Sequence, residues 1–286
     1  MGSLQRHVET CNDLASLAGL VPWRIGPETV GWLAADVERR LRALRGAFRS
    51  DGNGLELMAG DGTEARSDAL SEVAAHLATA GVVSLRREMF DVRADPASEV
   101  LARLDRGALS ALGVISQGVH MNGRVRRPDG LHLWVGWRSR DKSVAPGKLD
   151  NLVAGGVPAG LSPTQTLLKE AAEEASMPPA LAAQARQVSR VSYRMADGPG
   201  IRRDVLHCFD LDLPEDFAPT PADDEVERFE LWPAERLLRT VQDTSEVKFN
   251  VNLVLIDLFL REGLVDPRSE EGKRLRAGLD PGALKA

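Results

Sequence analysis

Cysteine, lysine and long apolar runs are all scarce in this chain, and each shortage closes off a class of protein. Two cysteines in 286 residues, Cys11 and Cys208, lie far apart and match no metal-ligand spacing, which excludes a disulfide framework and a zinc ribbon. No window approaches the ~18 consecutive apolar residues of a membrane span, and the first residues lack the basic start and apolar run of a secretory signal. A cytoplasmic protein with no membrane partner is therefore expected. Positive charge is in deficit, with 36 basic against 42 acidic side chains and a net charge of −6, so a nucleic-acid-coating role is disfavoured. Only six of the basic residues are lysines, none precedes Lys142, and Lys142, Lys148 and Lys169 lie close together in sequence.

At roughly 150 residues per domain, the length suggests two domains, each large enough for its own core. Leu33, Val37, Leu41, Leu44 and Phe48 recur every three or four residues and predict an amphipathic helix over 32–48. A second helix is expected from Ser67 to Gly81, a short strand over 89–93, and a third helix carrying Val100, Leu101 and Leu104. The domain boundary is placed at 105, giving an accessory domain over 1–105 and a second over 106–286. The second begins with strands over 114–125 and 131–137 and a short strand over 149–154, then a glycine-rich loop and a helix from Pro163. A hairpin over 188–213, a strand over 226–232 and two closing helices at 233–241 and 249–260 follow. The tail from Asp266, rich in Pro, Gly and charge, is expected to be poorly ordered.

The chemistry concentrates in the helix beginning at Pro163. Ser162 is placed to cap it, Pro163 suits the first helical position, and Gln165 completes a capping box. Glu170, Glu173 and Glu174 then stand at i, i+3 and i+4, crowding three carboxylates onto one patch in the C-terminal half, where the helix dipole prefers cations. A divalent ion is a natural compensator, because hard Mg²⁺ or Mn²⁺ prefers carboxylate oxygens and is commonly shared with substrate phosphates. The competing reading is a solvated acidic face with Lys169 pairing Glu173.

The glycine loop, the spacing and Lys169-Glu170-Ala-Ala-Glu173-Glu174 resemble the Nudix box, with Gly155 at its first position. Leu161 stands where the family has its first Glu, Lys169 where it has Arg, and Ser176 where it has the last Gly. The resemblance implies an α+β fold, a Nudix α/β/α sandwich with a mixed sheet, preceded here by a smaller α+β N-terminal domain. It also implies that Glu170, Glu173 and Glu174 are metal ligands, with the Gly155 carbonyl completing the shell. Further stretches, among them Gly118-Val-His-Met-Asn-Gly123, Trp134-Val-Gly-Trp-Arg138, Asp224-Glu-Val-Glu and Lys248-Phe-Asn-Val-Asn252, are similar to one Nudix subgroup that carries an extra N-terminal domain. In some eukaryotic members that subgroup is associated with thiamine pyrophosphokinase. Its members are implicated in converting thiamine diphosphate or its damaged analogues to the monophosphate.

The expected activity is thus metal-dependent cleavage of a diphosphate linkage in a small-molecule substrate. Glu174 is the first choice for ligand and base, and Glu225, which the family places near the metal, is the alternative base or an additional ligand. Arg138, Lys142 and Lys148 are candidates to hold phosphate oxygens. Gln117, His120 and Asn122 alternate along one strand and are candidates to contact a heterocyclic ring. One of Trp134 and Trp137 would be core, and the other free to stack on the substrate. Trp23, Arg24, Trp32 and Glu88 are the N-terminal residues considered for closing over the pocket, with ordinary core and surface roles the alternative. Neither cysteine is expected beside the strands that carry the site, which disfavours an isomerase of the related isoprenoid type. The rival functions are a diphosphatase acting on ADP-ribose or another nucleoside diphosphate derivative, and a non-catalytic nucleotide-sensing module. A homodimer is left open.

Overall fold

The computed structural model describes residues 3–279 apart from Ala15, Arg45, Ser143 and Asp223. The chain opens on helix α1 (Gln5–Cys11), followed by strands β1 (Val21–Ile25) and β2 (Glu28–Leu33), helix α2 (Ala35–Ala43), strands β3 (Phe48–Ser50) and β4 (Leu55–Leu57), and the long helix α3 (Thr63–Thr79). Strands β5 (Met89–Val92) and β6 (Ala102–Asp105) pair antiparallel, and a 3-10 turn with the short helix α4 (Leu109–Leu112) leads onward. The first sheet has the order β2-β1-β4-β3, and Trp23, Val37, Leu41, Leu70, Leu77 and Leu104 form the core beneath it.

Two expected helices are corrected here. Of the predicted 32–48 helix only Ala35–Ala43 is helical: Leu33 pairs with Val21 and Phe48 with Leu57 across strands, so two strand ends happen to continue the helical spacing of Val37 and Leu41. The segment carrying Leu101 and Leu104 contains no helix; it forms β6, whose pairing with β5 and packing under α3 override the local periodicity.

The second domain consists of β7 (Ile115–Arg127), β8 (Gly130–Arg138), β9 (Leu149–Asp150), β10 (Val153–Gly156), helices α5 (Pro163–Ala175) and α6 (Pro179–Ala182), β11 (Arg186–Asp197), β12 (Gly200–Asp212), β13 (Val226–Pro233), and helices α7 (Ala234–Asp243), α8 (Phe249–Arg261) and α9 (Glu270–Leu279). The sheet runs β11-β12-β7-β8-β13, with β10 added to β7 and β9 to β8; β7 and β12 are parallel and the other pairs antiparallel. Alternation along β7 sends Val119 and Met121 to the face covered by α5, through Leu167 and Ala171. The opposite face packs Leu133, Val135 and Leu206 against Val254 and Leu258 of α8. The result is the expected α/β/α sandwich with a mixed sheet.

The two cores do not divide at the sequence-based boundary of 105. Ala108, Leu109, Leu112 and Val114 still belong to the first core, while Leu4 at the N-cap of α1 and Val8 and Cys11 within it pack into the second with Leu258, Leu275 and Leu279. The tail from Asp266 is ordered as α9 as far as Leu279. Leu275 and Leu279, four residues apart, are buried there, and Gly278 lets Val8 of α1 approach so closely that an added Cβ would lie 2.2 Å from its Cγ1. Among the described residues no helix is long and apolar enough to cross a membrane.

Candidate active site

Helix α5 starts where its sequence dictates. Ser162 accepts the Gln165 amide at 3.2 Å and Gln165 Oε1 accepts the Ser162 amide at 2.9 Å, so both halves of the capping box are made. With the start fixed, Glu170, Glu173 and Glu174 project toward the end of β10, and they part company there. Glu174 is buried, and its Oε2 accepts the Ala154 amide at 2.9 Å. Glu170 lies flat on Gly155: a Cβ at that position would stand 2.6 Å from both its Cγ and its Cδ, so any other residue there would displace the side chain. Glu173 is half-exposed and paired with Lys169, the arrangement foreseen by the competing reading.

Burial raises the Glu170 carboxyl above the ordinary value; Lys169 offsets part of the rise, and Glu173 and Glu225 add to it. Burial also raises Glu174, well above the ordinary value, against the help of the Ala154 amide, with Asp150, Glu170 and Glu225 adding repulsion. These carboxylates therefore sense one another.

The register of β10 settles which backbone groups face them. Val157 donates to the Gln117 carbonyl at 2.9 Å, and the next narrow pair on the antiparallel ladder joins Gly155 to Val119. Residue 154 then turns its amide and carbonyl away from β7, as its bond to Glu174 requires. The carbonyl on the carboxylate side is that of Ala154, in place of the expected Gly155 carbonyl.

A cavity of about 920 Å³ opens beside this edge, lined by Glu170, Glu173 and Glu225 and by Arg138, Lys142 and Lys248. Arg138 is buried and anchored, with Nη1 2.6 Å from Asp150 Oδ2 and Nε donating to the carbonyls of Val144 and Ala145 at 3.2 and 3.1 Å. Lys142 pairs with Glu225. Lys148 does not join them: its Nζ donates to the Ser245 carbonyl at 2.8 Å on the surface, outside the cavity lining. Lys248, which stands just before α8 and was not singled out for the site by sequence, takes that place.

Gln117, His120 and Asn122 do not point together, because strand alternation separates residue 117 from 120 and 122. Gln117 donates to the Pro96 carbonyl and accepts from His207 Nε2 at 2.8 Å. Asn122 is buried away from the cavity in a relay: His120 Nδ1 donates to Asn151 Oδ1 at 2.9 Å, Asn151 Nδ2 to Asn122 Oδ1 at 2.8 Å, and Asn122 Nδ2 to Asp210 Oδ1 at 2.9 Å. Gln117 and His120 both line the cavity and Asn122 does not. Burial and then Lys248 push the His120 pKa down to about 4, so it is a neutral hydrogen-bonding group at ordinary pH.

Trp134 packs into the α5 core and Trp137 edge-on against Trp232, so neither lines the cavity. Cys208 does lie beside a site strand, in register with His120, which corrects the expectation. Burial pushes its thiol up to about 12, leaving it protonated.

The N-terminal domain forms part of the wall. Phe90 fills the space over Gly156, where a Cβ would meet its Cζ at 2.6 Å, and the Arg106 guanidinium stacks 5.6 Å above the Phe90 ring while donating to Glu88 at 2.8 Å. Of the four N-terminal residues considered from sequence only Glu88 lines the cavity. Trp23 is a core residue whose indole donates to the Leu112 carbonyl at 2.7 Å, and Arg24 pairs with Asp51.

Among the described residues no three His, Cys, Asp or Glu side chains converge as a ready-made metal cage. The reason is visible: Lys169 draws Glu173 away, Lys142 draws Glu225, and the Ala154 amide holds Glu174. The donor chemistry nevertheless suits a hard divalent ion, since all the candidate donors are oxygens, Glu170 is cradled in a space only glycine leaves, and the repulsion felt by Glu170 and Glu174 is what a cation would relieve.

Fold and site together define an α/β/α sandwich with a cavity where carboxylates and cations meet at the end of β10. Residues 120–251 match the NUDIX domain, and residues 3–116 match a domain of unknown function, DUF4743. Nudix hydrolase 24, chloroplastic, of Arabidopsis thaliana is 37% identical over 281 residues, covering 95% of this chain and 77% of its own length. Nudix hydrolase 20, chloroplastic, of the same plant is 37% identical over 275 residues, covering 92% and 73%. Among solved structures, a Deinococcus radiodurans protein is 21% identical with a TM-score of 0.44, covering 59% of this chain and 97% of its own. The chain belongs to the Nudix hydrolase family, and it is a hydrolase of pyrophosphate bonds.

Proposed function

We propose that Glu170, Glu173 and Glu174, with the Ala154 carbonyl, hold a divalent ion, Mg²⁺ or Mn²⁺, for hydrolysis of a small diphosphate in the cavity. The observation that carries this reading is the pair Glu170 and Glu174, both pushed toward the protonated form, with Glu170 lying in the space that Gly155 leaves by having no Cβ. When bound, the ion would neutralise the diphosphate and lower the pKa of a bound water. Glu174 is the residue assigned to take the proton, since the Ala154 amide fixes its orientation. Glu225 is the alternative base, on the loop before β13, where Lys142 tethers it. Lys142 is placed to exchange Glu225 for a phosphate oxygen. Arg138, fully engaged with Asp150 and two carbonyls, acts by fixing the floor of the cavity.

The substrate we favour is thiamine diphosphate or a damaged analogue, cleaved to the monophosphate; this rests on the motif likeness from Gly118 to Asn252. The alternative is ADP-ribose or another nucleoside diphosphate derivative. The test is a diphosphate panel with Mg²⁺ and Mn²⁺, including thiamine diphosphate, its oxidised forms and ADP-ribose, on the wild type and Glu174→Gln. The variant should lose about 10²- to 10⁴-fold in turnover. Equal rates in the two proteins would remove the assignment of Glu174, and hydrolysis confined to ADP-ribose would remove the thiamine substrate.

A further inference from the structure

The end of the cavity away from Glu170 and Glu174 takes no part in the chemistry at the carboxylate edge, and it holds a carboxyl of its own. Asp204 of β12 lines it beside Ser116 and Leu206 and is partly exposed there. Tyr193, fully buried behind it, donates its phenol hydrogen to Oδ2, and this is the one hydrogen bond the Asp204 side chain makes among the described residues. Arg202 acts on Asp204 by charge, but its guanidinium donates to Asp197 at 3.0 and 3.2 Å. Oδ1 is open to the cavity, an acceptor fixed in place by the bond to Oδ2 and left without a donor. Burial raises this carboxyl above the ordinary value, and Arg202 offsets part of the rise.

The sheet beside Asp204 is bare. Gly118 of β7 and Gly156 of β10 stand opposite each other in the ladder, so two adjacent places carry no side chain. Phe90 fills the space over Gly156, with Arg106 stacked on it, and the Arg106 charge also reaches Asp204. Over Gly118 the space stays open: an added Cβ would meet only the Gly155 carbonyl at 3.3 Å and Leu206 Cδ2 at 3.5 Å. Leu206 pairs with Gly118 across the ladder, and Asp204, two residues back along β12, shares its face. A flat ring laid over Gly118 would thus have apolar contact with Leu206 and its edge at Asp204. Gly155 pairs with Val119 on one side of β7 and Asp204 with Ser116 on the other, which separates them by about 10 Å along the strands and about 10 Å across, or roughly 14 Å. A diphosphate followed by a linked ring spans a length of that order.

We infer that Asp204 and the bare sheet over Gly118 form the subsite for the ring of the substrate, and that this ring carries an exocyclic amino group, as the aminopyrimidine edge of thiamine and of adenine does. The inference rests on the diphosphatase reading for the other half of the ligand, but recognition of the ring needs neither metal nor turnover. An amino N–H donates to Oδ1, whereas an oxo group in the same place would set two acceptors face to face.

The experiment is calorimetric titration of the full chain in EDTA at about pH 8, where Asp204 is ionised. The ligands are two pairs that exchange amino for oxo on the ring: thiamine monophosphate and its pyrimidine 4-oxo counterpart, and AMP and IMP. In at least one pair the amino form should bind the wild type at least about tenfold more tightly, and the pair that shows it names the source of the ring. Asp204→Asn should bring that ratio below about threefold, because Tyr193 retains the amide oxygen and the amide N–H groups then face the ring. Gly118→Ala, which sets a methyl where the ring would lie, should weaken the amino form at least about fivefold and decides the matter if Asp204→Asn fails to fold. Equal affinities within both pairs, no binding by any of the four ligands, an amino preference that survives Asp204→Asn, or wild-type affinity in Gly118→Ala overturns the subsite. An amino preference that Asp204→Asn abolishes, in a chain that hydrolyses no member of the diphosphate panel, strikes only the diphosphatase reading.

Discussion

Glu174 shows how a single side chain carries two demands. It is buried deeply enough to prefer its neutral form, yet its Oε2 accepts a backbone amide, which favours the ionised one. Glu170 shares the first demand. Because both carboxyls sit above their ordinary values, the folded chain keeps protons that the unfolded chain releases. Their stabilising contribution is full below the ordinary glutamate value and is lost as pH rises through the folded values. A bound cation replaces those protons, so Mg²⁺ should raise the melting temperature more at about pH 8 than at about pH 5.5, and Glu174→Gln should shrink that difference in scanning calorimetry. An equal increment at both pH values would mean that the ion binds elsewhere. The three glutamates were legible in the sequence because helix spacing alone puts i, i+3 and i+4 together. Lys248 was not, since its place beside Asp150 depends on how α8 docks against β9, a contact 98 residues apart in the chain.

At the scale of elements, α5 is the part that sequence described best, because its start is set by local chemistry. Ser162→Ala removes the acceptor for the Gln165 amide and should cost about 1 kcal/mol, read from the midpoint of urea unfolding, with turnover reduced through a loosened Glu170. Strand parity was equally available, and it contradicts grouping Gln117 with His120 and Asn122, since an odd step on a strand always changes face. The helix expected over 32–48 and the one expected around Leu101 failed for a different reason. Hydrophobic spacing reports which residues are buried, and both the helical and the strand arrangement buried the same ones: Leu33, Leu101 and Leu104 are core residues in either case. What decided between them was pairing with Val21 and with β5, which no local window contains.

At the scale of the whole molecule the two domains are interlocked. Residues from the first domain, Phe90 and Arg106, close the cavity over Gly156, while α1, the first helix in the chain, belongs to the core of the second domain. Leu4→Ala should therefore cost about 2–5 kcal/mol and, in hydrogen exchange, loosen α8 and α9 well before the sheet of the first domain. Protection lost first around β1 to β4 would contradict the packing. The Nudix domain was readable from motifs at its site. The ordered tail was missed, because the partner that holds α9 in place comes from the opposite end of the sequence.

The relay from His120 to Asp210 has one consequence at a distance. Carboxamides can be turned over without changing shape, so two asparagines in series transmit a sense of direction only if one end is fixed. Asp210 is that end, because its carboxylate is held in place by ion pairs with Arg124 and Arg261. Its charge dictates which way Asn122 faces, then Asn151, and finally which nitrogen of His120 carries the hydrogen. The atom that His120 presents to the cavity is thus decided on β12, by a side chain that no ligand in the cavity touches.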